Sequence, residues 1–196
     1  VTERLPAARR RRQLLDVAIS VFAAHGYHQT TMNQVAEAAG VTKPVLYQHF
    51  TSKQELFAEV LRDLGGQLEE VIGKATSTAT SPRNQVRAGF VAYFRFVTEE
   101  RDALELLFGA DSRQEPEFVQ IQRSLRASIA EATAALIDVE GLDRDDRRFL
   151  AQGIVGIAEA TSRHWLVEGG GGDPEVVAEA AADLAWGGLR GIRRTP

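Results

Sequence analysis

Thr42, Lys43, Val45, Tyr47, Gln48 and His49 crowd two hydroxyls, an ammonium, an amide, an imidazole and a branched apolar side chain into eight residues. These groups suit recognition by hydrogen bonding and apolar contact. Chemistry that breaks bonds needs other partners, and the chain lacks them. It has no cysteine, which excludes disulfides, zinc–cysteine sites and thiol catalysis. Of the four histidines, His25 and His28 are three apart but straddle Gly26, with no carboxylate nearby at metal-ligand spacing; His49 and His164 stand alone. The Gly169–Gly172 run lacks the Lys-Ser/Thr that follows a phosphate loop and reads as a linker. No metal or cofactor is expected, and no enzyme.

Two short helices must position the recognition group. Thr31 with Gln34 fits a capping box, and Val35, Ala36 and Ala39 then share one face until Gly40 supplies a left-handed stop. Val41 packs into the turn, Thr42 is placed to cap the second helix, and Pro44 falls in its first turn, where no N–H is needed. Leu46 and Phe50 form the inward face. Helix, short turn with glycine, helix is the helix-turn-helix whose second member enters a DNA groove.

Charge supports that reading once it is divided. The net charge of −4 conceals a basic head: residues 1–60 hold 7 Lys+Arg against 5 Asp+Glu, a net +2, and residues 61–196 hold 16 against 22, a net −6. A local basic patch is what phosphate binding needs. Arg9–Arg12 is its densest point, either as a solvated helix start or as an arm in which Arg11 and Arg12 touch phosphates or reach a minor groove. An amphipathic helix follows through Leu14, Val17, Ala18, Val21 and Phe22 to Gly26, with Tyr27 folding back beyond it. Ser52 to Glu55 predicts a second capping box, opening a long helix in whose first turn Lys53 and the helix N-terminus can jointly hold a phosphate.

Beyond Arg83 every periodic signal is helical, and no period-2 pattern occurs. The expected fold is all-α: an N-terminal three-helix helix-turn-helix domain, residues 9–54, joined by a long helix to a C-terminal helical domain, residues 55–196. Phe90, Tyr93, Phe94, Phe108, Phe118, Ile121, Leu125, Phe149 and Trp165 are candidate walls of an apolar ligand cavity, although a filled core would use the same residues. Arg95, Arg126, Glu159, Arg163 and His164 are the polar groups available to it. Small residues recur on the last two helices, Gly153, Gly156 and Ala160 on one and Ala181, Ala185 and Gly188 on the other. Glycine inside a helix costs about 1 kcal/mol relative to alanine. Close packing against a second copy would offset that cost; packing within one chain is the alternative. No apolar run reaches the roughly 20 residues of a membrane span, and the polar, Arg-rich N-terminus is not a secretory signal. A cytoplasmic location is the resulting expectation.

Leu14 to Leu61, through AISVFAAHGYHQTTMNQVAEAAGVTKPVLYQHFTSKQELFAEV, resembles the DNA-binding domain of the tetracycline-repressor (TetR) family of bacterial transcription regulators. The remaining residues fit that family in length and helix count. The resemblance implies a homodimer on a palindromic double-stranded operator, acting as a repressor released by a small effector. It implies that Thr42 and Lys43 face the major groove, that Val45 meets a thymine methyl and that Gln48 reads a base. Tyr47 and His49 match the family's Tyr-x-His-Phe, with Tyr47 on a phosphate, and Thr30, Thr31 and Lys53 hold phosphates from helix starts. Pro44 stands where the family often has Gly or another small residue. Two other classes compete. One is a DNA-binding regulator without a small ligand, controlled by abundance or a protein partner. The other is an enzyme acting on a small apolar substrate, disfavoured by the missing nucleophile and metal constellations.

Overall fold

The computed structural model describes residues 6–100, 106–107, 115–169 and 171–192. Among these there are eight helices longer than one turn and no strand: α1 (Ala7–Gln29), α2 (Met32–Ala38), α3 (Lys43–Tyr47), α4 (Lys53–Ser77), α5 (Pro82–Glu99), α6 (Pro116–Leu136), α7 (Arg144–Val167) and α8 (Pro174–Gly191). The all-α expectation holds. No helix among the described residues is long and apolar enough to cross a membrane.

Local sequence explains most of the helix ends. Gly26 takes φ 74° and ψ 164°, so α1 kinks there and its last turn runs in a new direction, burying Tyr27. The capping box at Thr31 forms: Thr31 Oγ1 accepts from the Gln34 N–H and the Gln34 side chain accepts from the Thr31 N–H. Asp143 and Asp146 make another at the start of α7, and Asp173 caps α8 ahead of Pro174. The box at Ser52 differs from expectation. Ser52 Oγ accepts from the Glu55 N–H, but the Glu55 carboxylate reaches one residue further back, accepting from the backbone N–H and hydroxyl of Thr51. These bonds hold its pKa below the usual carboxylate range.

Packing divides the chain into two compact units: Val1–Gly65 with Arg101–Gln122, and Gly66–Glu100 with Arg123–Pro196. The first boundary lies inside α4, later than the division at 54 and 55 drawn from the sequence. The reason is burial, because Leu56, Phe57, Val60, Leu61 and Leu64 of α4 complete the core of the first unit with Leu14, Ala18, Phe22, Leu46 and Phe50. The start of α6 belongs there as well. Phe118 lies fully buried, 4.7 Å from Phe57 and 4.9 Å from Tyr27 between ring centroids, and Glu117 accepts hydrogen bonds from Gln54 and Arg62.

In the second unit α5 makes its most extensive contact with α8, and α7 also packs on both. Its buried α8 positions are Ala178, Ala181, Ala182, Ala185 and Leu189. Arg83, Arg87 and Arg95 of α5 pair with Asp183, Glu179 and Glu175 of α8, an ion-pair ladder along two antiparallel helices.

Candidate nucleic-acid interface

Leu46 and Phe50, both fully buried, anchor α3, while Met32, Val35 and Ala36 anchor α2. Gly40, at φ 65°, turns the chain, and the Val41 N–H donates to the Ala36 carbonyl at 2.9 Å. With that core fixed, the remaining face of α3 points outward. Thr42, Lys43, Pro44, Tyr47 and Gln48 are exposed, and Val45 and His49 are half-buried. Tyr47 is 41% exposed, unusual for so large a ring, and the Lys43 ammonium lies 5.8 Å from its centroid. Thr42 has N-cap geometry but makes no side-chain capping bond, leaving its hydroxyl available outward. Thr31 is exposed at the start of α2.

Four expected phosphate contacts sit differently. Thr30 is only 1% exposed and its hydroxyl donates to the Gly26 carbonyl at 2.7 Å, closing the kink of α1 from inside. Arg11 pairs with Glu59 at 3.0 Å and lies over the Phe50 ring, while Arg12 bridges Asp16 and Asp63 at 2.7 and 2.6 Å. These two arginines tie α1 to α4 instead of forming an arm. The Lys53 ammonium donates to the Tyr27 and His28 carbonyls. Apart from Asp16, four residues from Arg12, the acidic and carbonyl partners of these cations lie 25 to 51 residues away in sequence.

The ligand candidates separate as well. Phe90, Tyr93, Phe94 and Leu125 are buried in the second unit, with the half-buried Trp165 ring 6.2 Å from Phe94. Phe118 and the half-buried Ile121 belong to the first unit. Phe108 lies outside the described residues. Phe149 is 79% exposed and lines no interior. The Tyr93 and Ser162 hydroxyls meet at 3.2 Å, and burial pushes the Tyr93 pKa up to about 12. Arg126 pairs with Glu159 at 2.7 Å, whereas Arg95 is spent on Glu175, and Arg163 and His164 are exposed.

Of the small residues proposed for self-association, Ala181 and Ala185 are core of the single chain, packed in where α8 meets its neighbours. Gly153, Gly156, Ala160 and Gly188 are exposed. Gly153, Gly156 and Ala160 belong to a stripe that the reading of small residues alone missed, and Gly188 lies beside its continuation on α8. On α7, Phe149, Gly153, Gly156, Ala160 and Val167 fall on one face; on α8, Val176, Ala180, Leu184, Gly187 and Gly191 do the same, all exposed. Val167 is 77% and Leu184 63% exposed. The signal was present as a second helical period, out of phase with the core-facing one.

Residues 14–60 match the model for bacterial regulatory proteins of the tetR family, and residues 82–188 match the tetracyclin repressor-like C-terminal domain. The HTH-type transcriptional activator FasR of Mycolicibacterium smegmatis is 36% identical over 196 residues, covering 98% of this chain and 88% of its own. A TetR-like transcriptional regulator from Rhodococcus sp. RHA1 superposes with a TM-score of 0.77 at 34% identity, over 96% of this chain and all of its own. The Bacillus subtilis regulator FadR, solved with stearoyl-CoA, shares the fold with a TM-score of 0.79 at 20% identity, over 93% of this chain and 99% of its own.

Proposed function

This chain belongs to the TetR family of bacterial transcriptional regulators, and we propose that it binds a palindromic operator as a homodimer and responds to a small, largely apolar effector. The observation that carries the DNA-reading part is the outward face of α3, a polar edge held on two buried anchors. Thr42 and Lys43 enter the major groove, Val45 meets a thymine methyl and Gln48 reads a base edge, while Tyr47 and Thr31 contact phosphate. The paired apolar stripes of α7 and α8 support the homodimer. A second copy related by a two-fold axis covers them isologously and presents two α3 helices to two half-sites.

For the effector, the second unit offers buried aromatics with few polar groups, the Tyr93–Ser162 hydroxyl pair and the Arg126–Glu159 ion pair among them. One protein of this fold holds a long acyl thioester, FadR with stearoyl-CoA. α4 contributes residues to both units, so an effector that prefers one helix arrangement can bias the recognition helices through it, and only by its differential affinity for the two states. Relatives of both signs occur, the activator FasR and the repressor KstR2, which is 34% identical over 55% of this chain, and the repression expected from the sequence stands as the proposed sign. The position of the operator relative to the promoter, and not the recognition helix, sets that sign.

Selection of bound duplexes from a random pool tests the reading, yielding half-site and spacing together. A two-fold symmetric site is the expected result; a pool with no enriched sequence overturns it. On the selected site, Tyr47→Phe should weaken binding to all sequences alike, and Lys43→Ala should relax preference at particular base pairs by about 1–3 kcal/mol. A reporter driven from that site decides the sign.

A further inference from the structure

Three arginines of α5 pair with three carboxylates of α8: Arg83 with Asp183 at 3.2 Å, Arg87 with Glu179, and Arg95 with Glu175. All six side chains stay well exposed, from 40% to 68%. Exposed pairs of this kind add little to the stability of a fold. What they change here is the charge beside an apolar face. Val176, Ala180, Leu184, Gly187 and Gly191 of α8 share that face, and all are exposed. At roughly 100° per residue, Asp183 lies about 60° round the helix from the middle of the face, Glu179 about 100° and Glu175 about 140°. Asp183 is also level with its mid-length, beside Leu184, whereas Glu175 is at its end. From Asp183 to Glu175 the carboxylates thus step away from the face and towards α5.

A second copy seated on the face brings the same carboxylates with it, and residues 61–196 already carry a net −6 in each chain. Like charges set against one another at an interface oppose association. The α5 arginines cancel the α8 carboxylates from the side turned away from the face. We propose that Arg83, and Arg87 to a smaller degree, are determinants of self-association, each neutralising an α8 carboxylate at the edge of the face that a second copy covers. The inference rests on the homodimer reading above and adds to it residues that lie outside the apolar stripe. Arg95, paired with the carboxylate furthest round the helix, serves the α5–α8 seam alone. An arginine that only ties α5 to α8 cannot be replaced by removing its carboxylate as well. An arginine that cancels charge becomes dispensable once that carboxylate is neutral.

The test uses the full chain without DNA. Dimer dissociation is followed by sedimentation for wild type, Arg83→Met, Arg87→Met and Arg95→Met, from roughly 0.05 M salt to about 1 M, where the screening length has shrunk to about 3 Å. At the low-salt end Arg83→Met should weaken the dimer on the order of tenfold, Arg87→Met by less, and Arg95→Met not at all. At the high-salt end all three should match wild type. The double variant Arg83→Met with Asp183→Asn should dimerise like wild type at every salt concentration. An Arg83→Met dimer as tight as wild type at low salt overturns the inference. A loss that persists at high salt and in the double variant overturns it too, because the arginine would then act through packing. Equal losses at all three arginines do the same. Should Arg83→Met not fold, Arg83→Gln carries the same comparison. A wild type that stays monomeric overturns the homodimer reading and this inference with it, whereas a dimeric wild type with an unaffected Arg83 variant overturns the inference alone.

Discussion

Around Phe57 the fully buried side chains are large: Phe22, Leu46, Phe50, Leu56 and Leu61. Along α8 the buried side chains are mostly small: Ala178, Ala181, Ala182 and Ala185, with Leu189. The two units therefore solve the burial problem differently. Large side chains close the first core within one chain, with aromatic rings meeting edge to face at Phe22–Phe57 and Phe57–Phe118. Alanines let α8 lie close to α5 but bury little area per residue, and each buried methylene is worth only about 0.8 kcal/mol. The second unit adds the exposed arginine ladder along that seam and leaves Phe149, Val167, Val176 and Leu184 in solvent. One unit is finished as a monomer. The other has an apolar face that a second copy can complete.

The largest expected effect breaks the finished core. Phe57→Ala removes a ring with no exposure and three aromatic neighbours, and should cost about 3–5 kcal/mol of stability in urea unfolding. Tyr27 fluorescence and operator binding should be lost together, since the same core anchors α3. Loss of less than about 1 kcal/mol would mean that the head does not depend on this cluster.

Next is the unfinished face. Leu184→Glu places a carboxylate on a side chain already 63% exposed, so the stability of the single chain should change by no more than about 0.5 kcal/mol. In a two-fold interface the charge is buried twice. Dimer dissociation, followed by sedimentation, should strengthen about 100-fold, and operator affinity should fall with it. An unaltered dimer would place the self-association surface elsewhere.

This contrast also sorts what could be read in advance. The helix-turn-helix was legible because its signals are local: Thr31 with Gln34, Gly40, and the four-residue step from Leu46 to Phe50 all act within one or two turns. The same holds for Asp143 and Asp173. What escaped was partner choice at long range. Phe118 and Leu125 lie on one helical stripe, yet Phe118 packs on Tyr27 and Phe57 in the first unit while Leu125 lies in the second. Periodicity states that a face is apolar and leaves open what covers it, so Phe149 read as interior. For the same reason Arg11 and Lys53 read as free cations, their partners being distant in sequence, and of Arg12's two partners only Asp16 was near enough to be read.

The polar pair inside the second unit gives a smaller effect, confined to alkaline pH. Burial raises the Tyr93 pKa to about 12, against about 10 in the unfolded chain. Below pH 10 both states keep the proton and the stabilisation is fully present. Between about pH 10 and 12 the unfolded chain loses the proton first, so stability falls through that window, by up to about 3 kcal/mol. Tyr93→Phe removes this decline and the hydrogen bond to Ser162, about 1 kcal/mol at neutral pH. The difference in phenolate absorbance between wild type and variant isolates the titration. A midpoint near 10 would show that water reaches Tyr93.

The smallest effect tests the helix that belongs to both units. The division of the chain falls between Gly65 and Gly66, within the continuous span of α4, and paired glycines are a recognised cause of helix bending. A Cβ at Gly66 meets nothing within 4 Å. Gly66→Ala should therefore stabilise the protein by roughly 0.5–1 kcal/mol through reduced chain entropy alone, visible as a shift of a few degrees in Tm. If α4 bends at this step when an effector binds, the same methyl should leave operator affinity without effector nearly unchanged while shrinking the effector's influence on it. If α4 acts as a rigid lever, the gain in Tm should come with an undiminished response. The two readouts move together only when the glycines are there to bend, which turns the contrast between a finished and an unfinished unit into a question about the helix they share.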